Sequence, residues 1–108
     1  YHNNHRIRVS KKNNLDDCLF ATNALGIKRT NLTTRVTGSA ALDLAYVGAG
    51  RFDGYFQENL NLWDIAAGII IIKEAGGKIN DIDIKKMRGL DVIASNVAIH
   101  SQITNKIK

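Results

Sequence analysis

A layered α/β domain is the fold class this sequence predicts, on three observations. Short apolar runs such as Cys18-Leu19-Phe20-Ala21-Thr22 and Val92-Ile93-Ala94-Ser95 read as strands. Helical segments with small or apolar faces alternate with them and stop at glycines. One of those segments is apolar nearly all round from Ile65 to Ile72, which suits a helix held between layers. Helices alternating with short apolar strands stack as layers around a sheet. At 108 residues, 44% hydrophobic and 23% charged, the chain is one globular domain or part of one.

Taken in order, Arg6-Ile7-Arg8-Val9-Ser10 alternates polar and apolar and reads as a half-buried strand. Lys11 to Asn14 is a polar turn, and Asp16-Asp17 opens a short turn before the Cys18–Thr22 strand. Residues 23–37 are mixed and polar, with Gly26 as a breaker, and carry no clear element. Gly38-Ser39 starts a helix with Ser39 as its N-cap, and Gly48 and Gly50 end it. Asp53-Gly54 is a turn and Tyr55-Phe56 a short strand. The next helix runs from about Trp63 to Ala75, and Gly76-Gly77 breaks it. Lys78–Ile82 and Val92–Ser95 read as strands, and Asn96 to Lys108 as a closing amphipathic helix.

The net charge of +5 is uneven. Residues 1–37 carry seven basic and two acidic side chains, and residues 38–108 carry eight of each. The chain divides accordingly into a basic strand segment, 1–37, and an α/β subdomain, 38–108. Arg6, Arg8, Lys11, Lys12, Lys28, Arg29 and Arg35 can attract phosphate or nucleic acid. Asn and Thr interrupt these charges and few aromatics interleave them, so a solvated surface is favoured over a nucleic-acid site. Cys18 alone forms no internal disulfide and fits a reducing compartment, as a buried small side chain. The Ile65–Ile72 run is too short for a membrane span, and no leader is recognised, so a cytoplasmic location without membrane contact is expected. His2, His5 and His100 show no ligand spacing and read as surface residues; Met87 reads as a gap-filler or exposed, and Glu74 asks for a basic partner.

Chemistry concentrates at Leu62-Trp63-Asp64-Ile65-Ala66-Ala67-Gly68 and on through Glu74-Ala75-Gly76-Gly77. A carboxylate at the start of an apolar helix is costly to desolvate without a cation or donor. Asp64 is therefore a metal ligand or a helix cap, and Trp63 a packing residue fixing the helix start. The helix starts at Gly38-Ser39 and Trp63-Asp64 also suit a phosphate, because each presents free N–H groups and about half a positive charge. Asp43 reads as polar or capping rather than catalytic.

Two segments resemble the inositol monophosphatase family. One is Gly38-Ser39-Ala40-Ala41-Leu42-Asp43-Leu44-Ala45-Tyr46-Val47 with Gly50-Arg51-Phe52-Asp53-Gly54-Tyr55-Phe56 after it; the other is the W-D-x-A-A-G stretch at Trp63–Gly68 with Glu74-Ala75-Gly76-Gly77. Their spacing matches too, and Asn3 to Ser10 is similar to the family strand that follows a glycine turn, with Asn4 at the glycine. The resemblance implies the C-terminal part of a layered αβαβα fold and a magnesium-dependent phosphomonoesterase. It implies that Asp64 ligates a metal and approaches a substrate hydroxyl, and that Gly38, Ser39 and Ala40 face the substrate. Gln57 stands where the family usually has a glutamate that accepts from an inositol hydroxyl.

The family's D-P-x-D-G-T motif and upstream metal-binding glutamate are absent. One carboxylate cannot satisfy ions that each hold about six oxygens. This chain, which opens on Tyr1, is expected to be the C-terminal portion of the enzyme and inactive alone, with no catalytic residue assigned to it. It is expected to be oligomeric or to need the N-terminal half, because half a layered domain leaves apolar surface uncovered. The substrate class is a small phosphorylated polyol such as an inositol phosphate. The alternatives are a sister phosphatase for a sugar bisphosphate or nucleotide 3′-phosphate, a non-catalytic interaction module, and a decayed fragment.

Overall fold

Side chains that alternate along three strands divide the interior in two. In the computed structural model, which describes residues 7–23 and 32–107, the described strands are β1 (Leu19–Ala21), β2 (Thr33–Arg35), β3 (Gly54–Leu60), β4 (Lys78–Ile79) and β5 (Leu90–Ser95). They form one mixed sheet in the order β2-β1-β3-β5-β4. β1 runs parallel to β2 and β3, and β5 antiparallel to β3 and β4. Successive residues of a strand face opposite sides. Ala21, Tyr55, Val92 and Ala94 therefore join one apolar cluster, and Phe20, Phe56 and Ile93 the other.

The first cluster is covered by α1 (Ala40–Gly48) and α2 (Leu62–Glu74), through Leu44, Val47, Ile65 and Ile72. The second is covered by α3 (His100–Ile107), through Ile103, with Ile99 just ahead of it. The result is a helix–sheet–helix sandwich. The expected α/β layering is present, and strands from both the basic first 37 residues and the remainder share one sheet.

Helices α1 and α2 approach closely because glycines face them. A Cβ on Gly68 would lie 2.5 Å from Leu44 Cδ1 and 2.6 Å from Leu44 Cβ, and one on Gly48 would lie 2.6 Å from Ile71 Cγ2. Ser39 caps α1 as expected, its Oγ accepting from Leu42 N at 3.2 Å.

Two buried polar residues tie the strand ends together. Asp53 Oδ2 accepts from Leu19 N at 2.7 Å, Asp53 N donates to Leu19 O at 2.8 Å, and Asn96 N donates to Asp53 O at 3.2 Å. Lys12 Nζ lies 3.5 Å from the same carboxylate. Asn96 Nδ2 donates to Ser10 Oγ and to Lys12 O, both at 2.9 Å, while its Oδ1 accepts from Ile99 N at 3.0 Å.

Several element expectations are corrected. Residues 7–14 form no strand; Val9 N bonds Ala75 O at 3.1 Å, and Ser10 and Lys12 bond the Asn96 side chain. The strand expected at Tyr55-Phe56 extends from Gly54 to Leu60, with a register shift between Gln57 and Leu60 where Asn59 takes a φ of 61°. β2 forms inside the stretch that offered no element, because Thr33–Arg35 pair with β1. β4 stops at Ile79 because the Asn80 side chain takes over the pairing, with Ile93 N to Oδ1 at 2.8 Å and Nδ2 to Asp91 O at 2.7 Å. The last helix starts at His100 rather than Asn96, whose side chain serves the turn before it.

Helix α2 is not enclosed on all sides. Ala66, Ala67 and Ile70 face outward, Ile70 with 59% of its surface exposed. His100 is partly buried, its Nδ1 3.0 Å from Ser95 Oγ; burial first, then the Lys78 charge, lowers its pKa. Glu74 is exposed and makes no ion pair among the described residues, and Met87 is exposed. The expectations for His2, Asn3, Asn4, His5, Arg6, Gly26, Lys28 and Arg29 lie outside the described residues. Among the described residues no helix is long and apolar enough to cross a membrane.

Gly68→Ala tests the helix contact. Alanine favours a helix over glycine by up to about 1 kcal/mol, but its methyl would press on Leu44 and overpacking typically costs about 1–3 kcal/mol. A net loss of about 1–2 kcal/mol is expected in urea unfolding.

Candidate functional site

A cleft of about 580 Å³ opens where β1 ends and the two α-helices on that face begin. Open α/β sheets commonly bind ligands at such strand-end, helix-start junctions. Its lining includes Thr22 and Asn23 after β1, Gly38, Ser39 and Ala40 at the start of α1, Gln57 on β3, and Trp63 and Asp64 at the start of α2. The five residues singled out in the sequence, Gly38, Ser39, Ala40, Gln57 and Asp64, thus line one cavity.

The start of α1 leaves backbone donors unpaired among the described residues. Gly38 takes a φ of 87°, and a Cβ there would meet nothing within 4 Å. Its glycine therefore serves the left-handed backbone turn rather than space. Ser39 is occupied on both sides: its N–H donates to Thr37 Oγ1 at 3.2 Å and its Oγ caps Leu42. The N–H groups of Ala40 and Ala41 find no acceptor among the described residues. At the start of α2, Leu62 N donates to Met87 O at 2.9 Å, and the N-cap Asn61 makes no side-chain cap bond. Two helix N-termini thus direct positive potential into the cleft.

Asp64 is the third residue of α2, and its N–H bonds Asn61 O at 3.0 Å. It is not the cap residue. Its half-buried carboxylate has no hydrogen-bond or ion-pair partner among the described residues. Trp63 is 59% exposed at the cleft rather than packed inside, and the Arg88 guanidinium stands 5.9 Å from its ring centroid. That exposure corrects its expected packing role.

Three features went unread in the sequence, the burial of Asp43 first among them. Asp43, in the first turn of α1, is 2% exposed and accepts from Thr37 Oγ1 at 2.5 Å. Burial raises its carboxyl pKa, and the Thr37 hydroxyl partly opposes the rise. Tyr55, 1% exposed, donates its hydroxyl to Gln57 Oε1 at 2.7 Å. Burial first, then the negative fields of Asp43 and Asp64, pushes the phenol above its ordinary pKa. The signal for the Tyr55–Gln57 pair was the two-residue spacing, which puts both on one face of β3. Thr22 also went unread; its Oγ1 donates to Phe56 O at 2.7 Å and fixes the end of β1 against β3.

A magnesium ion takes about six oxygen ligands. Among the described residues no three His, Cys, Asp or Glu side chains gather to hold a metal. Asp43 has one oxygen engaged by Thr37, and Asp64 stands by itself. The described residues of the cleft offer one unpartnered carboxylate, Asp64, and do not make up a magnesium site.

A profile of the inositol monophosphatase family matches residues 1–108. The chain belongs to the inositol monophosphatase family. It is 40% identical over 118 residues to the fructose-1,6-bisphosphatase/inositol-1-monophosphatase of Thermotoga maritima, covering 99% of this chain and 46% of that protein. It is 46% identical over 76 residues to the Nus factor SuhB of Haemophilus influenzae, covering 68% of this chain and 28% of that one. The crystal structure of the extragenic suppressor protein suhB from Bartonella henselae superposes with a TM-score of 0.84 at 38% identity, over 97% of this chain and 48% of that one. The chain spans about half the length of the curated relatives it matches most fully.

Asp43 sets a pH dependence. Its native pKa lies above the ordinary value of 3.8, so between the two values the folded state holds a proton that the unfolded chain has lost. Stability from this group is present below 3.8 and is lost as pH rises through the raised native pKa. Asp43→Asn keeps an acceptor for Thr37 and should lose less stability than wild type as pH rises from 3.8 through the raised native pKa, read from urea midpoints across that rise.

Proposed function

We propose that the whole protein hydrolyses a small phosphate monoester of a polyol, such as an inositol phosphate, with magnesium as cofactor. The observation that carries this reading is the unpartnered Asp64 carboxylate beside two helix N-termini in one cleft. A carboxylate without a cation is poorly placed in a half-buried cleft, and a divalent ion answers that need. The free N–H groups of Ala40 and Ala41 suit phosphate oxygens. Gly38, Ser39 and Ala40 shape the phosphate side, Gln57 touches the rest of the substrate, and Asp64 supplies one metal ligand. Magnesium, if held by Asp64 together with ligands from outside this chain, would supply Lewis-acid polarisation of the ester and a lowered pKa for bound water.

The remaining ligands belong to the half of the fold that this chain does not span, so these 108 residues are inactive alone. The exposed side of α2, with Ile70, fits cover by that half or by a second copy. A cytoplasmic setting agrees with Cys18, a buried thiol whose pKa burial, then Asp53, raises to about 11. The bifunctional name of the Thermotoga relative favours a sugar bisphosphate as the alternative substrate.

Magnesium titration and phosphate release by the full-length protein test this reading. Altering even a residue behind a metal ligand costs about 10–100-fold in affinity or activity. Asp64→Asn, which changes the ligand itself, should lower kcat/KM by on the order of a hundredfold or more and weaken magnesium binding. Equal magnesium affinity in both proteins removes Asp64 from the site.

A further inference from the structure

The turn that leads into α1 is exposed at Thr37 and Gly38, yet it is tied to a buried group. Ser39 N donates to Thr37 Oγ1 at 3.2 Å, and Thr37 Oγ1 in turn donates to Asp43 Oδ1 at 2.5 Å. That hydroxyl has a single proton to give. Ser39 O, the other acceptor within its reach, lies 3.5 Å away, so the nearer carboxylate takes the proton. Ser39 O accepts from Asp43 N at 2.9 Å, and Ser39 Oγ accepts from Leu42 N at 3.2 Å. What the turn leaves for the cleft is donors: the Ser39 hydroxyl proton and the N–H groups of Ala40 and Ala41 meet no acceptor among the described residues.

Packing at Gly38 does not hold the turn in this shape. Gly38 takes a φ of 87°, and a Cβ there would meet nothing within 4 Å. A glycine so exposed has many other backbone angles open to it. Asp43, by contrast, is 2% exposed, and burying a carboxylate is costly. An acid in a first helical turn gains from the helix dipole at the surface as well, so the dipole does not account for the burial. We propose that Asp43 and Thr37 are positioning residues: the buried carboxylate, acting through the Thr37 hydroxyl, locks the Gly38–Ser39 turn with its donors ready for the oxygens of a phosphate ester. Neither side chain lines the cleft, so both act through the turn between them. The inference rests on the phosphatase reading of the same cleft. A turn released from this anchor holds the competent shape only part of the time, and apparent affinity falls by that fraction.

The experiment measures kcat and KM for inositol 1-phosphate at saturating magnesium, using the full-length protein, Thr37→Val, Thr37→Ser, Asp43→Leu and the Thr37→Val/Asp43→Leu double variant. Thr37→Val keeps the side-chain shape and removes the hydroxyl. It should raise KM by about three- to tenfold and leave kcat within about twofold. Thr37→Ser should return KM to within about twofold of wild type. Asp43→Leu should match Thr37→Val, and the double variant should be no worse than either, because the same bond is lost in all three. Thr37 is exposed, so its two variants decide the matter even where Asp43→Leu fails to fold. A smaller folded fraction lowers kcat per mole of protein and leaves KM in place, so the split separates positioning from folding. An unchanged KM in Thr37→Val, no rescue by serine, or effects that multiply in the double variant overturn the proposal. If wild type cleaves no inositol phosphate, the phosphatase reading fails separately, and calorimetric affinity for inorganic phosphate replaces KM. Weaker phosphate binding in Thr37→Val that serine restores then supports the lock. Equal binding by all the proteins, or none by wild type, overturns it.

Discussion

The bare backbone of α2 at Gly68 rests on Leu44 of α1, at a distance no Cβ could tolerate. Gly48 repeats the contact from the other helix, against Ile71. This pair of close approaches sets how far apart the two helices run over the sheet. Their N-terminal ends carry Ser39 and Asp64, so the width of the cleft follows from glycine positions well inside each helix. Interiors at crystal-like density pass such displacements on instead of absorbing them.

Much of this architecture was legible because local and global signals agreed. Ser39 has the chemistry of an N-cap and caps; the Val92–Ser95 run is apolar on both faces because β5 is covered on both. The elements that were misread are those fixed by distant side chains. Residues 7–10 alternate like a strand, yet nothing in the alternation reveals that Asn96, 86 residues away from Ser10, claims the Ser10 hydroxyl. Asn80 ends β4 early by substituting its own amide for a peptide unit, which composition does not show. β2 is short and polar, and pairing with β1 alone makes it a strand.

The cleft was legible in the same uneven way. Its helix starts announce themselves through capping residues and the tryptophan–aspartate pair. The Tyr55–Gln57 bond was implicit in the period of β3, although knowing which amide atom remains for a ligand required the bond itself. Burial of Asp43 gave no local sign, since a carboxylate in a first helical turn is as ordinary on a surface as beneath one. The outward Ile70 likewise reads as core by composition and becomes informative only as surface.

Asn96 acts far along the chain as well as on its own turn. Its amide grips Ser10 and Lys12 on one side and the approach to α3 on the other, so these two stretches share one fastening. Residues 10–12 and the approach to the C-terminal helix therefore cannot separate without breaking the bonds of a buried amide. One side chain thus joins two stretches that lie more than eighty residues apart.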